Sequence, residues 1–471
     1  MNRFFVFAGL AGLMLACGQT KESDSQKKPN VLFIAVDDLR PELACYGAEH
    51  IHSPHIDRLA AQGTRFDRSY CNIPVCGASR ASLLSGLRPA RARFLTYNTW
   101  LDEDAPGVLS LPGLFKSNGY TTISNGKIYH HDLDGKDGWN EIWHPASGSS
   151  SWRDYALAEN ALADSSDRHR GPPFERAGVA DTAYKDGKLA EKVIRDLKKL
   201  RDAGKPFFLA AGFLKPHLPF NAPESYWALY DGGVVLPDNN YPPENAPREA
   251  FHNFGELRAY AGVPKQGPLS DQMAEQLIQG YYACVSYTDA QIGRVLDALE
   301  QLGLAENTIV ILWGDHGWNL REHGLWCKHC NFENSLHTPL IVRVPGREQV
   351  PASGEIVEYV DIYPTLCELS GLEKPAHLQG VSFAPLLFNA AAKSDGIAVS
   401  RWYDGITVIC DQYFYTEWVN DKDSSYARML YDHAVDPKEN RNLSEEPDLQ
   451  ELTLDLASQM RQERGSDYFN Y

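Results

Sequence analysis

Asn30-Val31-Leu32-Phe33-Ile34-Ala35-Val36 is apolar from its second residue on and stops abruptly at Asp37-Asp38. A strand with one wet face alternates apolar and polar residues. This run does not alternate, so it predicts a strand buried on both faces, as in a parallel sheet. Similar runs recur at Tyr120–Ser124, Pro206–Phe213, Thr308–Trp313 and Pro339–Val344. Helical patterns fall between them: Pro54–Gln62, opened by proline and followed by Gly63, then Asp181–Leu200 and Asp271–Gly303. Strands alternating with helices predict an α/β fold with a large, mostly parallel or mixed sheet flanked by helices. Reactive groups in such folds gather at the carboxyl ends of strands.

The pattern changes after about residue 375. Strand-like pieces at Gly396–Arg401, Gly405–Cys410, Tyr413–Trp418 and Arg428–Tyr431 are separated by turn residues. They predict a smaller C-terminal antiparallel sheet, closed by a helix near Asp448–Arg464. The expected division is a catalytic domain over 29–375 and an α+β subdomain over 376–471. Stretches 145–175 and 231–268, rich in loop-forming residues, read as long surface insertions of the kind that shape substrate pockets.

The amino terminus bears on the compartment. Arg3 precedes the apolar run Phe4–Ala16, which is too short for a comfortable membrane span. Leu13-Met14-Leu15-Ala16-Cys17 resembles a bacterial lipoprotein signal. The expectation is a signal peptide over 1–16, a lipid anchor on Cys17 and a polar tether over 17–28. The protein would be exported to the periplasm or outer membrane. A formal charge of −17 disfavours nucleic acid as a partner, and an anionic substrate would need a locally basic pocket. The nine cysteines lack regular spacing, so this is no disulfide scaffold. Cys327 and Cys330 have no second pair with which to bind zinc, and read as a local disulfide or two free thiols.

Asp37 and Asp38 repel each other unless a cation lies between them. Alone, the pair reads equally as a solvated turn. The run Thr308–Trp313 also ends on an acid, in Gly314-Asp315-His316-Gly317-Trp318. Three such carboxylates offer a hard, oxygen-rich set suited to Ca²⁺ or Mg²⁺. Cys76-Gly77-Ala78-Ser79-Arg80 places a thiol at the mouth of a predicted helix with an arginine one turn on. Helix amides and guanidinium both favour an anion there. Gly119-Tyr120-Thr121-Thr122-Ile123-Ser124-Asn125-Gly126-Lys127 brings a lysine to another strand end, with His130 three residues later. In Lys215-Pro216-His217-Leu218-Pro219 the prolines hold His217 in place, which suits a general acid. Lys328, taken singly, is a solvated lysine.

In this chain order the motifs resemble the type I sulfatases of the alkaline phosphatase superfamily. The signature there is Cys-x-Pro/Ala-x-Arg, followed by Leu-Thr-Gly where this chain has Leu84-Ser85-Gly86. Asp436-Pro437-Lys438-Glu439 with Asn442-Leu443 resembles the family's closing motif. His316, with Cys45-Tyr46-Gly47 and Val360-Asp361-Ile362-Tyr363-Pro364-Thr365-Leu366, resembles the iduronate 2-sulfatase branch in particular.

The resemblance implies an alkaline-phosphatase-like fold. It further implies that a formylglycine-generating maturation enzyme converts Cys76 to formylglycine, whose hydrate is the nucleophile. Ca²⁺ or Mg²⁺ would be held by Asp37, Asp38, residue 76, Asp315 and His316. Arg80 and Lys127 would stabilise the ionised hydrate. His217 and Lys328 would assist the leaving alcohol, and His130 would take the proton that frees sulfate. The implied substrate is a sulfated oligosaccharide carrying a 2-O-sulfated uronic acid, as in heparin, heparan or dermatan sulfate. His329, Arg91 or Arg93 would meet its carboxylate. Relatives acting on algal polysaccharides such as ulvan or carrageenan, phosphoester or phosphonate hydrolases of the superfamily, and a glycan-binding protein with unconverted Cys76 stay open at this point.

Overall fold

The computed structural model describes residues 1, 28–147, 151–165, 169–420 and 424–469. The signal-peptide, Cys17 and tether expectations fall on 2–27, outside that set. Among the described residues, no helix is long and apolar enough to cross a membrane.

The central sheet has eight strands: β1 (Asn30–Val36), β2 (Thr64–Tyr70), β3 (Thr121–Gly126), β4 (Glu141–Trp143), β5 (Phe207–Phe213), β6 (Thr308–Gly314), β7 (Leu340–Arg343) and β8 (Ala352–Glu358). Their order is β8-β2-β7-β6-β1-β5-β3-β4. Every pairing is parallel except the two made by β7, which runs against β6 and β2. The sheet is therefore mixed and mostly parallel, as its unalternating strands predict. The sequence reading did not foresee β2, β4 or β8.

β1 lies at the centre with all seven residues buried. Val31, Phe33 and Ala35 join the core on one face, and Leu32, Ile34 and Val36 join the core on the other. That period of two, with both phases apolar, is why the run shows no amphipathic pattern. On one face lie α1 (Pro54–Gln62), α3 (Lys185–Ala203) and α4 (Asp271–Gln301), through residues such as Leu59, Val193 and Ile292. On the other lie α2 (Cys76–Ser85) and α5 (Ile362–Ser370), through Ala81, Leu84 and Leu366.

The four strands β9 (Ile397–Trp402), β10 (Gly405–Cys410), β11 (Tyr413–Val419) and β12 (Ser425–Asp432) form an antiparallel meander. Helix α6 (Gln450–Phe469) packs on it through Leu456 and Met460. The meander is tied to the larger sheet by buried Asn72. Its side-chain amide donates to Val399 O at 2.9 Å, and its backbone carbonyl accepts from Arg401 N at 2.9 Å.

Strand register determines what meets at the carboxyl edge of the large sheet. Val36 pairs with Gly314 on one side and Phe213 on the other, and Gly126 pairs with Gly212. The residues that follow these strands, Asp37, Asp315, Lys127 and the Lys215–His217 turn, are thereby delivered to one place. The close crossing of β3 and β5 needs glycine. A Cβ on Gly212 would lie 2.1 Å from the Lys127 carbonyl oxygen, and one on Gly126 would lie 2.4 Å from the Gly212 carbonyl oxygen.

Candidate active site

α2 begins at Cys76, and all ten of its residues are buried. Gly77 allows the Tyr97 segment to cross the first turn, since a Cβ there would lie 2.3 Å from Tyr97 O. The helix directs the Cys76 thiol toward the strand ends. Sγ lies 3.2 Å from His316 Nε2 and 3.9 Å from Asp38 Oδ1. Burial, with Asp37 adding to it, pushes this thiol up to about 11, so at neutral pH it is protonated. An unmodified Cys76 is consequently a poor nucleophile.

Arg80, one turn on, is wholly buried and divides its guanidinium among the strand ends. Nε donates to Asp315 Oδ2 at 2.9 Å, Nη2 to Asp37 Oδ1 at 3.2 Å, and Nη1 to the carbonyls of Lys127 and Ile128. Lys127 Nζ adds a 2.5 Å contact to Asp37 Oδ2. Burial works against ionising Asp37, but Lys127, His217 and Arg80 overcome it and hold that carboxyl well below the usual range. Asp38 behaves differently. Burial raises its carboxyl even with His217 and Lys328 opposing. The protein's own cations thus satisfy Asp37 and leave Asp38 undercompensated.

The donor set fits a hard divalent cation. Ligand atoms of Asp37, Asp38, Cys76 and His217 lie within 4.8 Å of one another, as do those of Cys76, Asp315 and His316. His316 Nδ1 is 2.9 Å from the Gly317 carbonyl, which places the proton on Nδ1 and leaves the Nε2 lone pair facing Cys76 and Asp38. Asp315 Oδ1 accepts the backbone N–H groups of Asp38 at 2.9 Å and His316 at 3.1 Å, fixing the turn that carries these groups. His217 is the weaker candidate ligand. Burial disfavours its charge, but the nearby carboxylates, Asp38 foremost and then Asp37, together outweigh that and push it up to about 9, so the ring holds its second proton and has no free lone pair.

His217 Nδ1 donates to Leu218 O at 2.6 Å, which aims Nε2 into the site. Lys328 Nζ donates to Asp38 at 3.0 and 3.2 Å. It is held there by a strained loop, for Cys327 and His329 on either side have φ of 69° and 74°. His130 lies at the cavity wall, its ring 5.9 Å from that of Tyr97. Burial, then Lys127, pushes it down to about 2, so it is neutral and only weakly basic as it stands. Cys327 and Cys330 are free and buried.

These groups open onto a cavity of ≈ 850 Å³. Cys76, Lys127, His130, His217 and Lys328 line it, together with Arg170, Trp152 and His329. Of the three guesses for a second basic contact, His329 is at the wall. It is partly buried, stacked on Trp402 at 4.9 Å and held neutral by desolvation and then Lys328, so it offers a hydrogen bond and no charge. Arg91 and Arg93 are not among the lining residues. Arg91 reaches Asn420 O and Arg93 reaches Arg88 O. Arg170 lines the cavity in their place. Another cavity residue absent from the sequence reading is Glu256, on the short helix Gly255–Arg258 within the 231–268 stretch. That stretch is no simple surface insertion, since Leu257 and Tyr260 are fully buried.

The family model described as Sulfatase matches residues 29–372, and that of the N-sulphoglucosamine sulphohydrolase C-terminal region matches 321–466. The chain is 33% identical to iduronate 2-sulfatase of Homo sapiens over 416 residues, covering 79% of this chain and 75% of the relative. It is 30% identical to a sulfatase of Formosa agariphila over 464 residues, covering 93% and 87%. Among solved structures, one in complex with its substrate D-glucosamine-2-N,6-O-disulfate superposes with a TM-score of 0.75. That match is 22% identical and covers 94% of this chain and 98% of the other, a likeness of fold.

Proposed function

The chain belongs to the sulfatase family and is a sulfuric ester hydrolase, and on that footing we propose that it removes sulfate from a 2-O-sulfated uronic acid in a glycosaminoglycan fragment, through a formylglycine at position 76. The observation that carries the reading is the surroundings of Cys76 Sγ. It sits at a helix N-terminus, 3.2 Å from His316 Nε2, within reach of buried carboxylates, and opens onto a cavity with Lys127, Lys185 and Lys328 at its wall.

Asp37, Asp38, Asp315 and His316 would hold a divalent cation, which supplies charge neutralisation and Lewis-acid polarisation of the sulfate oxygens. A hydrated aldehyde at position 76 supplies a nucleophilic hydroxyl and a second hydroxyl whose proton can leave. The rest falls to the chain's own residues. Arg80 and the α2 amides favour negative charge at residue 76. Lys127 Nζ faces the same point from the cavity wall. Charge builds on the departing alcohol oxygen, and His217 Nε2, already protonated, is the donor for it, with the Lys328 ammonium beside it. His130, at the cavity wall, is the group we assign to take a proton when sulfate is released.

Two observations favour a uronate. Human iduronate 2-sulfatase is the relative named above, and Arg170 stands at the cavity wall. The Arg170 guanidinium lies 5.3 Å from the Tyr260 ring centroid, and its Nε is buried without a hydrogen-bond partner among the described residues. A guanidinium at a cavity wall with a donor left over is a carboxylate receptor by geometry and charge. We further propose export and lipid attachment at Cys17. Ion chromatography of sulfate released from defined sulfated disaccharides tests the reading. Release from 2-O-sulfated uronate units, and weak release from 6-O-sulfated glucosamine or algal units, is expected. The opposite order would reject the substrate assignment.

A further inference from the structure

Glu256 has no role in the chemistry described so far, yet it touches both groups assigned to the leaving alcohol. Its Oε1 lies 3.3 Å from His217 Nε2, and its Oε2 lies 3.0 Å from Lys328 Nζ. The side chain is 18% exposed, and the exposed part faces the catalytic cavity. Lys328 is thus gripped between two carboxylates, Asp38 on the sheet side and Glu256 on the cavity side.

We propose that Glu256 is a positioning residue that holds His217 and Lys328 together at the place where the sugar oxygen departs. This rests on the sulfatase reading of the site. His217 and Lys328 come from separate loops, and an ammonium on a flexible four-carbon stem has many rotamers. Asp38 alone cannot orient both donors. It is 3.9 Å from His217 Nε2, beyond hydrogen-bond range, and it belongs to the candidate cation site. Glu256 lies within 3.3 Å of His217 Nε2 and reaches Lys328 as well. Buried charges in such a network are coupled, so removing one member changes what the others contribute.

The geometry also separates Glu256 from substrate affinity. The groups proposed to act at residue 76 and on the uronate carboxylate are Arg80, Lys127 and Arg170, and Glu256 is paired instead with His217 and Lys328. Loss of Glu256 should therefore lower kcat and spare KM.

The test is a double-mutant cycle on the full-length protein with its best disaccharide substrate, using Glu256→Gln, His217→Asn and the pair together. The isosteric Glu256→Gln is expected to lower kcat by about tenfold with KM within about twofold. The double variant should fall well short of the product of the two single losses, because the two groups act as one unit. Glu256→Asp, which keeps the charge, should recover part of the loss and serves in place of Glu256→Gln if that variant does not fold. A loss confined to KM, a multiplicative double-mutant loss, or no loss would overturn the proposal. Failure of the wild-type protein to release sulfate from any sugar sulfate would count against the sulfatase reading itself.

Discussion

Arg80 Nε lies 2.9 Å from Asp315 Oδ2, and neither side chain has any exposed surface. The same guanidinium meets Asp37 at 3.2 Å. A residue early on a helix thus ties together the ends of two adjacent strands far apart in sequence. Buried ion pairs of this kind add little net stability, but losing one partner strands a charge. Arg80→Ala is therefore expected to destabilise the metal-free protein by about 3–5 kcal/mol. It should also abolish sulfate release. Urea denaturation of the two proteins measures the first effect. Equal midpoints would show that Asp37 and Asp315 do not depend on Arg80.

A second expectation follows from Asp38, whose carboxyl is raised by burial beyond what His217 and Lys328 offset. A divalent cation binding the folded state alone should stabilise it by mass action. Chelation should lower the thermal midpoint and stop turnover, and Ca²⁺ or Mg²⁺ should restore both. A melting curve indifferent to chelator and to added cation, in protein proven free of metal, would contradict the donor set assigned to Asp37, Asp38, Asp315 and His316.

Much of this arrangement was legible beforehand. Strands buried on both faces have no alternation to disguise them, so β1, β5 and β6 stand out in the sequence, and the acids that follow β1 and β6 stand out with them. β2 does not, because Arg65, Asp67 and Arg68 interrupt it, and three of its residues are only partly buried. β8, at the sheet edge, has an irregular register between Ser353 and Ile356, and β4 is three residues long. Neither length nor pattern marks such strands. Glu256 was missed for another reason. Its partner Lys328 is 72 residues away, and nothing local distinguishes Glu256 from a surface acid. Its importance is a property of tertiary contact. Arg170 was passed over in the same way.

The histidine that carries the leaving-group role has a pH signature. His217 is pushed from 6.5 to about 9 on folding, because Asp38 and Asp37 together outweigh the burial that opposes its charge. A group raised in the folded state contributes its full stabilisation below the unfolded value and loses it as pH climbs through the folded value. In metal-free protein, stability should accordingly decline between about pH 6.5 and pH 9. His217→Asn should flatten that decline. Denaturant midpoints at several pH values compare the two slopes, and parallel slopes would show that His217 does not bind its extra proton on folding.

The central claim is that residue 76 works as an aldehyde made from the encoded thiol. The direct measurement is the mass of the proteolytic peptide containing position 76, taken from a preparation whose sulfate release has just been assayed. Conversion of the cysteine side chain to formylglycine predicts a peptide lighter by about 18 Da than the encoded one, in a fraction that tracks specific activity. Full turnover from a sample holding only the unmodified thiol would contradict the account.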